Sequence, residues 1–389
     1  MKRVICFFTA CIICLSALPA FAVEGQPELD VNARSVLLME ASTGDVLYEE
    51  SPDEQLPIAS VTKIMTMLLI MEAVDSGKIK MDDMVSVSER AMSMGGSTMF
   101  LETGEQLSVH DMLKGIAVAS ANDGCVAMAE FLAGSEAAFI DQMNQKAQEL
   151  GMTHTHFANT NGLDADNHYS SARDVAIMSR ELIKHKAIFE YTTIWMDTLR
   201  DGKFQLANTN KLIRFYSGAN GLKTGSTSKA LCCLSATALR DDMQLIAVVL
   251  GAPTSAERFS SAKALLDYGF ATYGIHPQVT EGQEVTVGVV QKGVKETVSA
   301  VAEKTCAVLL KKGNGGEIQS EVKLDEPLSA PIALGQKIGE VSYKIGEQEI
   351  AKTNLVAGEA IEKQSFGNIF MELINSLIYG KQQAEELSK

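Results

Sequence analysis

Positive charge is scarce in this chain relative to negative charge. The 389 residues include 34 lysines and arginines against 49 aspartates and glutamates, so the formal net charge is −15. Binding to nucleic acid depends on contacts of lysine and arginine with phosphate, so this imbalance argues against DNA or RNA as a partner. The acidic composition also predicts good solubility and little attraction to anionic lipid head groups.

Cysteine and histidine are also few. Of seven cysteines, only Cys125, Cys232, Cys233 and Cys306 lie beyond the first 14 residues. Their spacing matches neither a dense disulfide framework nor a zinc site, and Cys232-Cys233 is better explained as a strand pair with one side chain on each face. The six histidines form no helical pair with an acidic partner. We therefore expect no metal and no cofactor.

The N-terminus has the features of a secretory signal peptide. Lys2 and Arg3 precede an apolar run over residues 4–18, and Ala20-Phe21-Ala22 supplies the small residues of a cleavage site. We predict a signal peptide over residues 1–22 and an exported mature protein. The alternative is an uncleaved anchor, which the short apolar run disfavours.

The length predicts two domains or slightly more. Apolar runs around a glycine turn predict a hairpin over residues 35–50, and two further runs predict strands over residues 230–239 and 243–250. The intervening chain has helical periodicity, with a nearly all-apolar helix over residues 61–74. Residues 23–275 are therefore predicted to form an α+β domain, in which one antiparallel sheet carries an inserted helical subdomain.

The remaining chain is predicted to form two smaller elements. Short Val- and Ile-rich runs between glycine turns predict a small β domain over residues 276–360. Residues 361–389 are predicted to contain an amphipathic helix, because apolar residues recur at i, i+3, i+4 and i+7: Phe366, Ile369, Phe370, Leu373, Ile374, Leu377 and Ile378. Such a helix would lie on a membrane surface or dock on the β domain. We favour the membrane, although the polar face lacks the lysines and arginines typical of such helices.

The first motif that carries chemistry is Ser60-Val61-Thr62-Lys63, at the start of the predicted buried helix. Ser60 would lie at the positive end of this helix, and Lys63 would face it three residues later. Burial among apolar neighbours would lower the pKa of Lys63 and allow it to act as a base. The competing interpretation is a helix cap with an unrelated lysine.

Two further motifs follow in order. Ser120-Ala121-Asn122 lies between two predicted helices, where a hydroxyl and an amide could point at one ligand, although an ordinary connecting turn has the same composition. Lys223-Thr224-Gly225 precedes the apolar run at residue 230, so we expect it at the start of an edge strand along which a ligand backbone could pair. The proximity of Lys223 would lower the pKa of Lys63 further. The competing interpretation is a solvated strand start.

Three such motifs in this order, after a signal peptide, favour an acyl-transfer site. The set resembles that of the penicillin-recognising serine enzymes. Flanking segments resemble the low-molecular-mass penicillin-binding proteins that act as serine-type D-alanyl-D-alanine carboxypeptidases (peptidase family S11): Pro57-Ile58-Ala59, Gly104-Glu105, Asp123 and Asn220-Gly221-Leu222. The resemblance extends to the β domain and the terminal helix. It implies a fold like that of β-lactamases and transpeptidases.

The resemblance implies specific roles. Ser60 would attack the bond between the two terminal D-alanines of a peptidoglycan stem peptide, Lys63 would take its proton, and Ser120 would relay a proton to the leaving group. Asn122, Lys223, Thr224, Gly225 and Ser226 would bind the substrate, with the backbone N–H groups of Ser60 and Ser226 as the oxyanion hole. The expected partners are stem peptides, β-lactams as covalent inhibitors and a membrane surface. The expected location is the outer face of the cytoplasmic membrane, in cell wall biogenesis.

The chain departs from this family pattern in two places. Many relatives carry a bulkier residue at position 226 and a second glycine at position 231, where this chain has Ser226 and Leu231. Some relatives use an arginine before the lysine motif to bind carboxylate, where this chain has residues 208–211, Asn-Thr-Asn-Lys. Lys211 is a candidate substitute for that arginine.

Three alternatives share some of these features. A class A β-lactamase is disfavoured because no Glu-x-x-Leu-Asn pattern lies between Asn122 and Lys223 to activate the deacylating water. A D,D-endopeptidase that cuts peptide cross-links remains open, since the same site could accept a larger leaving group. A penicillin-binding wall protein with little turnover is disfavoured by the presence of Ser60, Lys63 and Ser120.

Overall fold

The computed structural model describes residues 27–313 and 316–367, together with Phe370 and Ile374. The predicted signal peptide and most of the predicted terminal helix lie outside the described residues. Among the helices of the described part, none combines the length and the apolarity needed to cross a membrane.

The first domain alternates strands and helices. In chain order its elements are β1 (Ser35–Glu40), β2 (Val46–Glu50), a 3₁₀ turn (Ala59–Thr62), α1 (Lys63–Asp75), β3 (Met84–Ser86), α2 (Glu89–Met92), β4 (Gln106–Ser108), α3 (Val109–Val118), α4 (Asn122–Ala133), α5 (Glu136–Glu149), α6 (Ala172–Leu182), a second 3₁₀ turn (Lys186–Ile188), α7 (Phe189–Thr192), β5 (Met196–Leu199), β6 (Phe204–Ala207), α8 (Leu212–Phe215), β7 (Ala219–Thr227), β8 (Leu231–Arg240), β9 (Met243–Ala252) and α9 (Ser255–Thr272).

Five antiparallel strands form the main sheet, in the spatial order β2-β1-β9-β8-β7. Successive side chains of β9 belong to different cores: Ile246 and Val248 pack with the helical subdomain, whereas Ala247 and Val249 pack with α9. β9 is therefore apolar without interruption over residues 245–250, because both faces of the sheet are covered. The prediction of one antiparallel sheet with helices inserted between its strands is confirmed.

The buried helix begins later than predicted. Residues 59–62 form a 3₁₀ turn and α1 begins at Lys63, whereas the sequence pattern predicted a helix from Val61. The reason is local, since Ala59 has φ +48°, outside the helical region, and the Val61 N–H donates to the carbonyl of Ile58 three residues back. Ser60 thus lies on a tight turn immediately before the helix.

The second domain is built of strands. They are β10 (Tyr273–Val279), β11 (Glu284–Gln291), β12 (Thr297–Ala302), β13 (Cys306–Lys311), β14 (Ile318–Leu324), β15 (Leu328–Ser329), β16 (Lys337–Ile345) and β17 (Gln348–Ala357). Six of them form a sheet in the order β14-β16-β17-β12-β11-β15, and β10 pairs with β13. The packing continues past the predicted boundary at residue 360, because Ile361 is fully buried in this core.

The first residue of β8, directly after the turn from β7, has a backbone conformation that suits glycine. Leu231 has φ +56° and its side chain is 40 % exposed. This is the position at which the family resemblance leads us to expect a glycine. A left-handed conformation costs a residue with a Cβ atom about 1–2 kcal/mol, so Leu231 strains the turn without burying its side chain.

We therefore expect Leu231→Gly to stabilise the protein by about 0.5–1 kcal/mol. The gain is smaller than the strain, because glycine raises the entropy of the unfolded chain. The measurement is the urea midpoint of the purified protein. Leu239→Gly is the matched control, since Leu239 is also an exposed leucine of β8 but has no positive φ, and it should be destabilising. Equal destabilisation by both substitutions would contradict the assignment of strain to Leu231.

Candidate active site

Ser60 and Lys63 meet at the junction of the 3₁₀ turn and α1. The Lys63 Nζ lies 2.8 Å from the Ser60 Oγ, within hydrogen-bonding distance. Lys63 is fully buried, whereas Ser60 is partly exposed to the cleft. The structure therefore contains the predicted pair, in which the hydroxyl of the partly exposed Ser60 meets the buried amine of Lys63.

The Lys63 amine has two other partners, and both can only accept hydrogen bonds. It donates to the Asn122 Oδ1 at 2.7 Å and to the Asn161 carbonyl at 2.6 Å. The Asn122 Nδ2 donates to the Gly95 carbonyl, which fixes which end of that amide faces Lys63. A neutral amine has two N–H groups and one lone pair. With both N–H groups engaged by these oxygens, the lone pair is directed at the Ser60 hydroxyl.

The environment of Lys63 makes the neutral amine accessible. Burial lowers the pKa of Lys63 to about 8, against the partial opposition of Cys125 and Asp123. The pKa of Lys223 also lies well below its usual range. Burial is the main cause, and the charge of the nearby Lys63 is the second. The sequence led us to expect that Lys223 would lower the pKa of Lys63. In the structure burial is the principal cause for both lysines, and the repulsion between them opposes the charging of either one while the other is charged.

The Ser120 motif forms the predicted connection between two helices. α3 ends at Val118, α4 begins at Asn122, and Ser120 is a buried residue with φ +62°. The Asn122 N–H donates to the Ser97 carbonyl at 2.7 Å, so the loop before β4 wraps around this turn. The turn thus brings Asn122 to Lys63, two residues after Ser120.

The Lys223 motif lies on β7, the edge strand of the sheet. The prediction of an edge strand is confirmed, but the motif lies in the middle of the strand rather than at its start. The strand begins at Ala219, because the ladder with β8 already pairs Ala219 with Ala238. The Nζ of the buried Lys223 donates to the Thr224 carbonyl at 2.9 Å.

Two glycines pack against the backbone of the 3₁₀ turn over residues 59–62, which carries Ser60 and is called the nucleophile turn below. A Cβ atom on Gly225 would lie 2.8 Å from the Ile58 carbonyl oxygen and 2.9 Å from the Ser60 nitrogen. A Cβ atom on Gly162, whose φ is +89°, would lie 1.9 Å from the Ala59 carbonyl oxygen. Only glycine allows such close approach of backbones. Gly225 was identified from the sequence, whereas Gly162 was missed, although Asn161-Gly162 is a recognisable turn pair.

Thr224 has a partner that the sequence analysis did not single out. Its hydroxyl donates to the Thr209 Oγ1 at 2.7 Å. Thr209 is exposed between buried Asn208 and Asn210, whose amides donate to backbone carbonyls of Thr192 and Gly221. The residue of this segment that contacts the motif is therefore Thr209, and Lys211 is exposed.

The turn after β7 is joined to the loop that contains Gly162. The Thr227 hydroxyl donates to the Asp164 Oδ1 at 2.7 Å, and the Ser228 hydroxyl lies 3.4 Å from the Asp164 Oδ2. Ser226, directly before this turn, is exposed. The carboxylate of Asp164 therefore ties together the two segments that flank the partly exposed Ser60.

A buried histidine is connected to the nucleophile turn by hydrogen bonds on the side that faces the core. The Ala158 N–H donates to the His168 Nδ1 at 3.0 Å, so the proton lies on Nε2, which donates to the Thr62 hydroxyl at 2.7 Å. Thr62 in turn donates to the Ala59 carbonyl at 2.8 Å. Burial lowers the pKa of His168 to about 4, so the ring is neutral at pH 7. Sequence analysis missed His168, because nothing near it in the chain indicates this contact.

Other chemistries lack a comparable arrangement. Among the described residues, no group of three or more His, Cys, Asp or Glu side chains is placed to hold a metal. Burial raises the pKa of Cys125 to about 12, so this thiol is not a competing nucleophile. The cleft can therefore support attack by a serine whose base is a neutral lysine, with an amide and a second lysine beside it.

Comparison with known proteins is consistent with this chemistry. The family profile described as D-alanyl-D-alanine carboxypeptidase (peptidase S11) matches residues 21–254, and that of the penicillin-binding protein 5 C-terminal domain matches residues 276–363. The D-alanyl-D-alanine carboxypeptidase DacF of Bacillus subtilis is 45 % identical over 374 residues, which cover 94 % of this chain and 96 % of that protein.

Solved structures agree with the sequence relatives. Penicillin-binding protein 5 from Haemophilus influenzae superposes with a TM-score of 0.76 at 34 % identity, covering 87 % of this chain and 100 % of that one. Penicillin-binding protein D2 from Listeria monocytogenes, in its ampicillin-bound form, superposes with a TM-score of 0.58 at 32 % identity. It covers 63 % of this chain and 100 % of that one.

Proposed function

The chain belongs to the D-alanyl-D-alanine carboxypeptidase family of serine peptidases, and from this premise we propose how its cleft performs the reaction. The Ser60 Oγ attacks the carbonyl carbon between the two terminal D-alanines of a peptidoglycan stem peptide. The Lys63 amine takes the hydroxyl proton as the new C–O bond forms. The observation that carries this assignment is the hydrogen bonding of Lys63, which leaves its lone pair for Ser60.

The remaining residues complete the acylation step. The backbone N–H groups of Ser60 and Ser226 stabilise the negative oxygen of the tetrahedral intermediate. The C–N bond then breaks, and the leaving D-alanine amine receives a proton passed through Ser120 and Lys223. Water hydrolyses the ester on Ser60, which releases the shortened peptide and restores the hydroxyl.

Substrate recognition is assigned to the edge strand and to Asn122. A peptide paired along β7 presents its terminal carboxylate to Thr224 and Lys223 and its amide to Asn122, and Gly225 lets β7 lie against the turn that carries Ser60. A carboxylate close to Lys223 favours its charged form, so substrate binding raises the pKa of Lys223 from the low value of the empty cleft. Relatives with bound ampicillin and cefotaxime support β-lactams as acylating inhibitors of Ser60.

The exported protein should release D-alanine from peptides ending in D-Ala-D-Ala. Ser60→Ala should reduce this release at least about a thousandfold, because it removes the nucleophile. Ser260→Ala is the matched control, since Ser260 also precedes a lysine by three residues but lies exposed on α9. Free D-alanine is quantified over time. Release from cross-linked peptides only would favour the endopeptidase, and penicillin acylation of Ser60 without any release would favour a binding protein with little turnover.

The rate of acylation should depend on the protonation of Lys63. Because the neutral amine is the base and its pKa is about 8, the rate should rise about tenfold per pH unit from pH 5 to 7 and level off above pH 8. Lys63→Arg should be inactive throughout, since guanidinium does not lose its proton in this range. The measurement is kcat/KM for D-alanine release, with circular dichroism at each pH to show that the fold is retained. A flat profile would exclude Lys63 as the base.

Export and membrane attachment complete the proposal. Cleavage after Ala22 gives a mature protein beyond the cytoplasmic membrane, where stem peptides are found, and the C-terminal segment holds it at the membrane surface. The side chains of Phe366 and Phe370 are 83 % and 54 % exposed, which supports insertion into a membrane over docking on the β domain.

This localisation predicts two results for the exported protein. Its N-terminus should be Val23 by mass spectrometry, and it should sediment with membranes. Phe366→Asp combined with Phe370→Asp should move it to the soluble fraction, because charge opposes burial of this face in lipid. Val287→Asp is the control, an exposed apolar residue of β11 that lies outside the C-terminal segment. An N-terminus at Met1 with unchanged sedimentation of the double variant would identify an N-terminal anchor instead.

A further inference from the structure

The two backbone groups assigned to the oxyanion hole come from different parts of the chain. The Ser60 N–H belongs to the nucleophile turn, and the Ser226 N–H lies near the end of β7. To stabilise a negative oxygen, both groups must lie about 2.7–3.1 Å from the position that this oxygen occupies. Their spacing is therefore set by contacts between two segments that are remote in sequence.

The glycine contact between these segments acts in one direction only. Gly225 lies against Ile58 and Ser60, so it limits how closely β7 can approach the nucleophile turn. Such a contact does not prevent β7 from moving away. β7 is the edge strand of the main sheet, with β8 as its neighbour, and Ser226 is the residue before its last, Thr227. An attractive contact at this end of β7 would oppose the outward movement.

The Asp164 carboxylate supplies an attractive contact at this end. Its Oδ1 accepts the Thr227 hydroxyl at 2.7 Å, and its Oδ2 lies 3.4 Å from the Ser228 hydroxyl. The Thr227 oxygen also accepts the Ala230 N–H at 3.0 Å. The Thr227 hydroxyl thus donates to the carboxylate while it accepts from the turn. Its orientation is fixed at both ends, and the residue after Ser226 is joined to Asp164.

The loop that carries Asp164 is itself rigid. The Asn159 side chain accepts the Gly162 N–H at 2.7 Å and donates to the Leu163 carbonyl at 2.8 Å, so the loop is closed by one of its own side chains. A carbonyl of the same loop accepts the Lys63 amine at 2.6 Å. Asp164 therefore extends from a loop that is already bound to the base of the reaction.

A role in stabilising the core does not explain this contact. Asp164 and Ser228 are exposed, and Thr227 is partly exposed. Interactions between exposed polar groups contribute little to the free energy of unfolding, because water competes for the same groups. The contact nevertheless joins the two segments that carry the oxyanion donors. Its effect is therefore expected on the rate of reaction more than on stability.

We propose that Asp164 is a positioning residue, which acts through Thr227 to hold the Ser226 N–H at the spacing from the Ser60 N–H that the oxyanion requires. The proposal rests on the proposed carboxypeptidase function. The negative charge on the oxygen develops only as Ser60 attacks. Loss of Asp164 should therefore weaken stabilisation of the transition state more than binding of the intact substrate.

The first experiment measures kcat and KM for D-alanine release in variants of the full chain. Asp164→Ala should lower kcat about tenfold and change KM less than about twofold. Thr227→Val should have at least as large an effect, and the double variant should be no slower than Thr227→Val alone, because both changes remove one contact.

Two further variants serve as comparisons. Asp164→Asn keeps an acceptor oxygen for the Thr227 hydroxyl and should retain most of the wild-type kcat. Asp166→Ala is the matched control, since Asp166 is an exposed aspartate two residues further along the same segment. It should leave both kcat and KM unchanged.

The second experiment separates the transition state from the ground state. A peptide boronic acid forms a tetrahedral adduct when the Ser60 Oγ adds to boron and the hydroxyl proton passes to Lys63. One boron-bound oxygen then occupies the oxyanion position, so Asp164→Ala should weaken inhibition about tenfold. Binding of an intact D-Ala-D-Ala peptide is measured in the Ser60→Ala background, where adding Asp164→Ala should leave the Kd unchanged. The urea midpoint of each variant shows that the fold is retained.

Each outcome bears on the proposal separately from the proposed function. Unchanged kcat and unchanged boronic acid inhibition in Asp164→Ala would overturn the proposal while D-alanine release remained intact. Equal losses for the boronic acid and the intact peptide would also overturn it, because they would indicate a general loosening of the cleft. No Ser60-dependent release by the wild type would instead refute the carboxypeptidase function itself.

Discussion

The burial of the Lys63 amine is the constraint on which the rest of the site depends. A buried ammonium is costly, and the cost lowers the pKa of this lysine to about 8. The same burial requires every N–H of the amine to find an acceptor, and Asn122 and Asn161 provide them. One of these acceptors begins α4 and the other lies in the loop before α6. The helical subdomain and its loops are thus bound together by the group that performs the proton transfer.

A second constraint is the close approach of three backbone segments around Ser60. The nucleophile turn is held between β7, where Gly225 faces it, and the loop of Gly162. These contacts leave no room for a side chain. The position of Ser60 relative to Lys223 is therefore set by direct contact between the backbone of β7 and the backbone of residues 58–60. His168 and Thr62 fix the turn from the core side. Such rigidity suits a site in which a displacement of about 1 Å can cost a hundredfold in rate.

Sequence patterns identified the residues that carry chemistry but not those that hold them in place. Ser60, Lys63, Ser120 and Lys223 belong to short motifs whose local setting, a buried helix, a turn and a strand, could be read from neighbouring residues. Gly162, His168 and Thr209 act on parts of the chain about 15 to 105 residues away. Their partners become known only when the chain is folded. The start of α1 differs from the prediction for a local reason, since the positive φ of Ala59 makes residues 59–62 a 3₁₀ turn.

Three of the few basic residues of this chain are buried together at the site, and their placement favours an anionic substrate. In a chain of net charge −15, Lys63, Lys223 and Arg258 are all buried near β7. Arg258 donates to the carbonyls of Gly225 and Cys233, and its charge helps to lower the pKa of Lys223. Basic groups that repel one another when protonated in a buried site are stabilised in their charged form by an anion that enters it. A peptide ending in a carboxylate supplies that anion, so the unfavourable electrostatics of the empty cleft favour the substrate whose terminal residue is to be removed.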